Sequence, residues 1–201
     1  MSEGPVGEAP LLNVANLLTL LRLVLVPVFI ALLFVGDGHR PGWRVAAGVV
    51  FAVAALTDRF DGDIARRRGL VTRFGMIADP IADKALIGSA LVGLSLLGDL
   101  PWWVTAVIGI RELGVTGLRF WVLRHGVIAA SRGGKLKTLV QTVAIGIYVL
   151  PFVGAALVTA RWWLMLVAVL ITVVTGVDYL LRALRLRARG LAAARAITRP
   201  G

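Results

Sequence analysis

Six long apolar stretches, joined by short polar connections, constrain the fold of this chain more than any other feature. They cover about residues 16–35, 43–65, 77–98, 102–124, 136–159 and 162–184. A helix needs roughly 20 mostly apolar residues to cross about 30 Å of hydrocarbon, and an open sheet cannot satisfy its backbone hydrogen bonds there. The pattern predicts an all-α integral membrane protein with six transmembrane helices and no separate soluble domain.

Composition narrows the chemistry that such a chain can perform. The 201 residues include no cysteine, which excludes disulfides, thiolate metal sites and cysteine nucleophiles. The histidines, His39 and His125, lie far apart in the sequence, which argues against a histidine-based zinc site. The net charge of +11 would suit nucleic acid, but the basic residues lie in the connections between apolar stretches. This distribution predicts orientation in a membrane and no nucleic-acid partner.

The positions of Lys and Arg predict which side of the membrane each connection faces. Most lie at one end of the predicted spans, namely Arg66, Arg67, Arg68, Arg73, Arg124, Arg132, Lys135, Lys137, Arg182, Arg185, Arg187, Arg189, Arg195 and Arg199. The other end has Arg40, Arg44 and Arg161, with an aromatic belt of Trp43, Trp102, Trp103, Trp162 and Trp163. Because cytoplasmic connections carry the positive excess, both termini are predicted to face the cytoplasm of a bacterial plasma membrane.

Three segments are predicted along the chain. Residues 1–15 form an N-terminal interfacial segment, residues 16–184 form the six-helix membrane domain, and residues 185–201 form a basic cytoplasmic tail. From Arg182 onward, the basic sequence predicts a helix that lies over anionic membrane lipids. For the last ten residues, a disordered basic segment is an open alternative.

Acidic residues are concentrated at the cytoplasmic end of the second predicted span. At about 100° per residue, Asp58, Asp61, Gly62, Ala65 and Arg66 fall on one broad face of a helix. A charge inside a bilayer costs at least a few kcal/mol, so such groups face a partner or a wet cavity. The small residues let a bulky ligand approach the backbone, and the arginine is suited to binding phosphate.

A second acidic pair opens the third predicted span. Asp79 and Asp83 are four residues apart and therefore share a helix face. Pro80 is expected in the first helical turn, where its missing N–H costs little. Carboxylates on two facing helix ends would repel one another unless cations lay between them, and all-oxygen ligands suit Mg²⁺ or Mn²⁺. The residues predict a site for metal-bridged phosphate and in-line displacement at phosphorus.

The spacing of these residues resembles the signature of the CDP-alcohol phosphotransferase family. The matching string is Asp58-x2-Asp61-Gly62-x2-Ala65-Arg66-x8-Gly75-x3-Asp79-x3-Asp83. The resemblance implies a homodimer of six-helix chains, two divalent cations, and transfer of a phosphatidyl group from CDP-diacylglycerol to an alcohol with release of CMP. It also implies that Asp58, Asp61 and Asp79 are metal ligands, and that Asp83 is both a ligand and the general base.

The resemblance further implies contacts to CDP-diacylglycerol by Gly62, Ala65, Arg66, Thr72 and Gly75. Asn16 and Thr19, in the first span, would either touch the nucleotide or serve helix packing. Arg22 lies deeper in that span and is expected to pair with an acid. Asp63 lies outside the signature and is expected to form a surface pair with Arg67.

The acceptor alcohol is predicted from stretches outside the signature. The chain resembles bacterial phosphatidylglycerophosphate synthases at residues 16–22, 79–84, 102–105, 111–113 and 134–138. Arg111, Arg119, Lys135 and Lys137 would form a cationic pocket beside Asp83 for the phosphate of glycerol 3-phosphate. Two alternatives stay open for these cations, a structural ion pair of Arg111 with Glu112 and ordinary positive-inside decoration by the lysines.

Other functions are also compatible with parts of the pattern. The same chemistry could use inositol phosphate, serine, or phosphatidylglycerol as in a cardiolipin synthase, and only the flanking resemblance favours glycerol 3-phosphate. A cation transporter would place its acids near the bilayer midplane, usually within paired repeats. Here the acids lie at one end of two spans. A purely structural anchor offers no reason for five acids, Asp63 among them, within 26 residues.

Overall fold

The computed structural model describes residues 13–68, 72–122, 132–151 and 154–197, without the side chains of residues 15, 59–68, 73–77, 119–122, 132–133, 135 and 188–197. Within these ranges the chain is helical and contains no strand, which confirms the predicted all-α class. The helices are α1 (Val14–Phe34), α2 (Pro41–Arg68), α3 (Arg73–Leu96), α4 (Trp102–Val122), α5 (Arg132–Val149) and α6 (Ala155–Ile197). Of the predicted interfacial segment, residues 1–12 lie outside the described residues.

The boundaries of the first two helices follow from local chemistry. Asn13 is the N-cap of α1, where its side-chain oxygen accepts a hydrogen bond from the backbone N–H of Asn16 at 2.9 Å. The turn before α2 contains Gly36, Asp37 and Gly38, whose φ angles of 63°, 58° and 73° all lie in the left-handed region. Glycine adopts that region without steric cost. The turn lies in the connection predicted between the first two spans, after residue 35 and before residue 43.

Two predicted helix positions are wrong. The fifth and sixth spans were expected to meet near residue 160, but α5 ends at Val149 and α6 begins at Ala155. Pro151 has no N–H to continue the helix, and Gly154 has a φ of +111°. Pro80 was expected in the first turn of its helix, yet α3 begins at Arg73 and Pro80 lies inside it. There Pro80 cannot donate to the carbonyl one turn earlier.

The sixth helix is much longer than a membrane is thick. Its 43 residues extend over about 65 Å, against about 30 Å for the hydrocarbon core. The predicted boundary between membrane domain and basic tail, at residues 184 and 185, falls inside this helix. Of the two interpretations of the tail, the structure therefore has the helix, as far as Ile197.

By length and composition, two helices within the described residues could cross a membrane, over Asn16–Phe34 and Ala155–Arg187. A shorter apolar helix covers Leu136–Val149. The other helices carry charges within their apolar sequence, such as Asp58 in α2 and Asp79 in α3. Passage of all six through a membrane stays a prediction.

The chain forms two compact units. The first contains α1, α2, α3 and the segment Ile145–Gly154. Its core includes Phe29 and Leu33 of α1 and Phe51 of α2, and the two phenylalanine rings pack at 5.6 Å. The acidic residues of the signature belong to this unit. Their positions depend on how α2 and α3 pack against α1.

The second unit contains α4, the first part of α5, and α6. Helices α4 and α6 pack against each other, with Ile108 and Met165 fully buried. Near the start of α4, the ring of Trp103 meets that of Trp162 edge to face at 6.1 Å. Arg111 and Lys137, predicted to bind the acceptor phosphate, belong to this unit.

Candidate active site

The buried face of α1 changes from apolar to polar along its length. Towards the C-terminus it is formed by Phe29 and Leu33, each with 0% of its surface exposed. Towards the N-terminus it is formed by Asn16, Thr19 and Arg22, which are 3%, 1% and 0% exposed. Because a buried polar group is costly without a hydrogen-bond partner, each of these three side chains must find one on another segment.

Two of the partners are acidic residues of the signature. Arg22 donates from Nη1 to Oδ1 of Asp58 in α2, at 2.7 Å. Thr19 donates from its hydroxyl to Oδ1 of Asp79 in α3. The expectation that Arg22 pairs with an acid is confirmed. Helix α1 thus contacts one carboxylate on each of the two helices that carry the acidic residues.

The two carboxylates also lie close to each other. Their partners on α1, Thr19 and Arg22, are three residues apart on one buried face, so Asp79 and Asp58 meet α1 within one helical turn although 21 residues separate them in the sequence. The side chain of Asp58 is 37% exposed, so its carboxylate is accessible despite the ion pair. Asp83 follows Asp79 by one helical turn and is half-buried. This part of the first unit therefore concentrates negative charge on a partly open surface.

Thr72, the residue that precedes α3, belongs to the same polar region. It is 9% exposed and donates from its hydroxyl to the side-chain oxygen of Asn16 at 2.8 Å. Sequence reasoning predicted both residues to contact CDP-diacylglycerol. The structure places them in contact with each other, and a nucleotide contact stays a prediction.

Several predicted residues have side chains outside those that the structure describes. In α2 they are Asp61, Gly62, Ala65 and Arg66, and in α3 Gly75. The backbone places each within a helix, as the spacing argument required. Their roles as metal ligand or nucleotide contact stay predictions.

The donor chemistry at Asp58 and Asp79 fits a hard divalent cation. Both hydrogen bonds from α1 go to Oδ1, so Oδ2 of each carboxylate lies outside those bonds. Carboxylate oxygens are the ligands that Mg²⁺ and Mn²⁺ prefer. Among the side chains described, no group of three or more His, Asp or Glu residues is close enough to hold a metal ion. The side chain of Asp61 lies outside this described set.

A second polar cluster lies in the other unit, around Glu112 of α4. Its Oε1 accepts hydrogen bonds from Nη1 of Arg111 at 3.1 Å and from the ammonium of Lys137 in α5. The side chain of Lys137 is only 4% exposed. One interpretation of the sequence made Lys137 a solvent-exposed cation that only adds to the positive charge of a basic connection. Its burial does not agree with that interpretation.

Arg111 has the ion pair with Glu112 that was one of its two expected roles. A second guanidinium nitrogen, Nη2, lies 3.5 Å from the hydroxyl of Thr175 in α6. A methyl group added at Gly176 would come within 3.0 Å of Arg111, so this glycine makes room for the arginine. Acceptor-phosphate binding by Arg111 and Lys137 stays a prediction. The side chains of Arg119 and Lys135 lie outside the described part of the chain.

Sequence reasoning missed Glu112 as a shared acceptor and Arg44 as a buried contact. Arg44 was counted only as a basic residue near a connection, yet it is 4% exposed and binds backbone carbonyls at 2.8 Å. A detectable signal for Glu112 existed, since an acid within an apolar span requires a partner. Nothing local to Arg44 reveals its contacts with the carbonyls of Tyr148 and Val149, which lie more than 100 residues away.

The sequence that contains these acidic residues can be compared with known protein families. A family model described as CDP-alcohol phosphatidyltransferase matches residues 12–174, which include all of α1 to α5 and both polar clusters. The chain belongs to the CDP-alcohol phosphatidyltransferase family. The resemblance drawn from the acidic signature is thereby confirmed.

Relatives within the CDP-alcohol phosphatidyltransferase family carry consistent names. The chain is 62% identical over 179 residues to a "Probable phosphatidylglycerophosphate synthase" of Mycobacterium tuberculosis (strain ATCC 25618 / H37Rv), covering 89% of this chain and 85% of that protein. It is 38% identical to a "CDP-diacylglycerol--glycerol-3-phosphate 3-phosphatidyltransferase" of Bacillus subtilis (strain 168), covering 83% and 93%. A protein of Escherichia coli (strain K12) with that same name is 41% identical, covering 66% and 74%.

Proposed function

We propose that this chain transfers the phosphatidyl group of CDP-diacylglycerol to sn-glycerol 3-phosphate, giving phosphatidylglycerophosphate and CMP. The observation that carries the proposal is the similarity along most of the chain to relatives whose names specify this reaction. The acidic residues of the first unit supply a chemical basis for it. Two carboxylates that meet the same turn of α1, one of them 37% exposed, suit the binding of a cation-bridged diphosphate.

We propose roles for the signature residues in this reaction. Asp58, Asp61, Asp79 and Asp83 would hold two divalent cations, Mg²⁺ or Mn²⁺, which when bound neutralise negative charge on the diphosphate. Gly62, Ala65, Arg66, Thr72, Gly75, Asn16 and Thr19 would line the binding site for CDP-diacylglycerol.

Asp83 would accept the proton of the acceptor hydroxyl while the hydroxyl oxygen attacks the β-phosphorus. A new phosphorus–oxygen bond then forms to the acceptor. The bond from the β-phosphorus to the bridging oxygen breaks, and CMP leaves with that oxygen. The proton remains on Asp83 until solvent removes it, so the reaction needs no further reactant.

The membrane arrangement follows from the same proposal. We infer a homodimer in the bacterial plasma membrane, with six spans per chain and with both termini and the acidic residues on the cytoplasmic side. Exposed apolar faces support spans beyond the two most apolar helices. In α2, Val45, Val49, Val53 and Leu56 are spaced by one turn and are each 42% to 56% exposed. A continuous apolar face of this kind is suited to lipid.

The proposed function is tested by CMP release. Purified protein with CDP-diacylglycerol and Mg²⁺ is expected to release CMP only when glycerol 3-phosphate is added. Inositol 1-phosphate, serine and phosphatidylglycerol serve as the comparison acceptors. Release with one of these instead would keep the reaction class and overturn the acceptor. Ion flux through reconstituted protein without any CMP release would favour a transporter.

A second prediction concerns the cations of the second unit. If Arg111, Arg119, Lys135 and Lys137 bind the acceptor phosphate, Lys137→Gln removes one charged hydrogen bond to it, about 1.5–3 kcal/mol. The KM for glycerol 3-phosphate is then expected to rise about 10- to 100-fold, with the KM for CDP-diacylglycerol unchanged. Arg182→Gln, which removes an exposed cation paired with Asp178, is the matched control. An unchanged acceptor KM in Lys137→Gln would limit Lys137 to its pair with Glu112.

A further inference from the structure

Three buried polar side chains of α1 reach α2, α3 and the residue that precedes α3. At successive spacings of three residues, Asn16 contacts Thr72, Thr19 contacts Asp79, and Arg22 contacts Asp58. Two of these partners are acids to which we assign cation binding. The contacts bridge 60 and 36 residues of sequence for Thr19 and Arg22. Helix α1 is therefore the common support of two carboxylates that different helices carry.

Packing alone does not require polar residues at these positions. One turn further along the same buried face, Val26 and Phe29 pack α1 with apolar side chains only. A fully buried arginine has a large desolvation cost, which a leucine would avoid. Thr19 and Arg22 lie where α1 meets the acidic residues. Their distribution indicates a role at the acidic site that a hydrophobic contact could not fill.

Each contact constrains the orientation of a carboxylate. An aspartate side chain rotates broadly about its last torsion, so its two oxygens can exchange places. A donor held on another helix and directed at Oδ1 limits that rotation and leaves Oδ2 in a defined direction. Arg22 also places a positive charge against Asp58, which offsets part of the repulsion among neighbouring carboxylates. Both effects prepare the carboxylates before any cation arrives.

We propose that α1 is the positioning helix of the acidic site, in which Thr19 and Arg22 orient Asp79 and Asp58 for cation binding without contacting the cation themselves. The inference rests on the proposed function, since it takes these two acids as cation ligands. The hydroxyl of Thr19 has a single proton, and Asp79 accepts it. Towards a nucleotide, Thr19 can then only accept a hydrogen bond.

The test measures cation binding without substrate. Full-length protein in lipid nanodiscs is titrated with Mn²⁺, and the free ion is followed by electron paramagnetic resonance. Thr19→Val keeps the shape of the side chain and removes the donor, and it is expected to weaken Mn²⁺ binding about 10- to 100-fold, as loss of a partner behind a metal ligand does. Thr19→Ser keeps the donor and is expected to restore binding. Mn²⁺ binding by Thr19→Val equal to that of the unsubstituted protein would overturn the proposal.

A matched control separates loss of the donor from loss of any hydroxyl. Thr57 of α2 donates to the carbonyl of Ala54 in its own helix, and Thr57→Val is expected to bind Mn²⁺ normally. Turnover supplies a second readout. Thr19→Val is expected to raise the Mg²⁺ concentration needed for half-maximal CMP release. A raised KM for CDP-diacylglycerol with normal Mn²⁺ binding would overturn the positioning role.

Substitution of Arg22 tests whether this arginine orients the carboxylate of Asp58 or only balances its charge. Arg22→Gln keeps a hydrogen-bond donor but removes the positive charge, and it is expected to weaken Mn²⁺ binding because the shorter side chain cannot hold Asp58. If Arg22 were only a competing cation, its removal would tighten Mn²⁺ binding, and that result would overturn the proposal. Since Arg22 is fully buried, only those variants that elute in gel filtration at the same volume as the unsubstituted protein are compared. If no Arg22 variant does so, the comparison of Thr19→Val with Thr19→Ser decides whether the proposal holds.

The binding experiment also separates this inference from the proposed function. Mn²⁺ binding requires neither acceptor nor turnover. Weakened binding in Thr19→Val would support the inference even if no acceptor released CMP. Normal CMP release together with unaltered Mn²⁺ binding in Thr19→Val would overturn the inference alone. An unsubstituted protein that binds no Mn²⁺ would overturn it as well.

Discussion

Asp83→Asn is expected to lower CMP release by a factor of about 10² to 10⁴, the contribution that a positioned general base typically makes. Asparagine has nearly the same shape as aspartate but cannot accept the proton of the acceptor hydroxyl. Asp83 lies one helical turn after Asp79 and is half-buried, and asparagine occupies nearly the same volume there. Turnover is measured with CDP-diacylglycerol, glycerol 3-phosphate and Mg²⁺ at saturating concentrations.

The control for this prediction is an acid of similar exposure outside the signature. Asp178 of α6 forms an exposed pair with Arg182, and Asp178→Asn is expected to keep full activity. Mn²⁺ titration then separates the two roles proposed for Asp83. Lost turnover with retained Mn²⁺ binding supports the base role, whereas loss of both supports a ligand role. Near-normal CMP release by Asp83→Asn would remove Asp83 from catalysis.

Arg44→Met is expected to destabilise the fold by about 3–5 kcal/mol, the cost of removing one member of a buried ion pair. Arg44 donates to the carbonyls of Tyr148 and Val149 at 2.8 Å each. These carbonyls lie in the last turn of α5, where no helical N–H reaches them and where a cation is favourable. A methionine would leave them buried without this donor.

Arg44 also joins two connections of the first unit. Its Nη1 lies 3.2 Å from the carbonyl of Gly38 and 2.7 Å from Oδ2 of Asp99. The contact with Asp99 is an ion pair, but its angles are not those of a hydrogen bond. Removing the guanidinium would leave the carboxylate of Asp99, 16% exposed, without this compensating charge. One side chain therefore connects the start of α2 to the ends of α3 and α5.

Stability is measured by unfolding the purified protein in mixed detergent micelles. Arg40→Met, which changes an exposed arginine four residues earlier, is the matched control and is expected to cost less than about 0.5 kcal/mol. Folded Arg44→Met is expected to retain its turnover number, because Asp58 lies about 21 Å further along α2. Equal stability of Arg44→Met and Arg40→Met would show that the carbonyl contacts contribute nothing.

The helical class and the acidic signature could be predicted because their signals are local. Apolar stretches of spanning length determine helices through backbone hydrogen bonds within each segment. Asp79 and Asp83 share a face because they are four residues apart in one helix. The positions of helix ends were predicted less accurately where two local preferences of the chain favoured different structures. Pro80 was placed at a helix start because proline is unfavourable inside a helix, yet α3 begins a full two turns earlier.

The break after α5 shows the same competition. A continuous apolar sequence predicted a span as far as residue 159, whereas Pro151 and Gly154 end one helix and precede the next. The shift makes Ala155 the first residue of α6, so that Trp162 and Trp163 lie inside the helix. Hydropathy records composition and is insensitive to one missing N–H within an apolar run.

By itself, the sequence determined that the chain is helical, which acids share a helix face, and which family it belongs to. Each of these follows from the spacing of residues within one segment. Only the tertiary structure decided that Arg22 holds Asp58, that Thr19 holds Asp79, and that Arg44 binds the end of α5. The reason is physical. A buried polar side chain must find a partner, and which partner comes within 3 Å depends on how helices distant in sequence pack together.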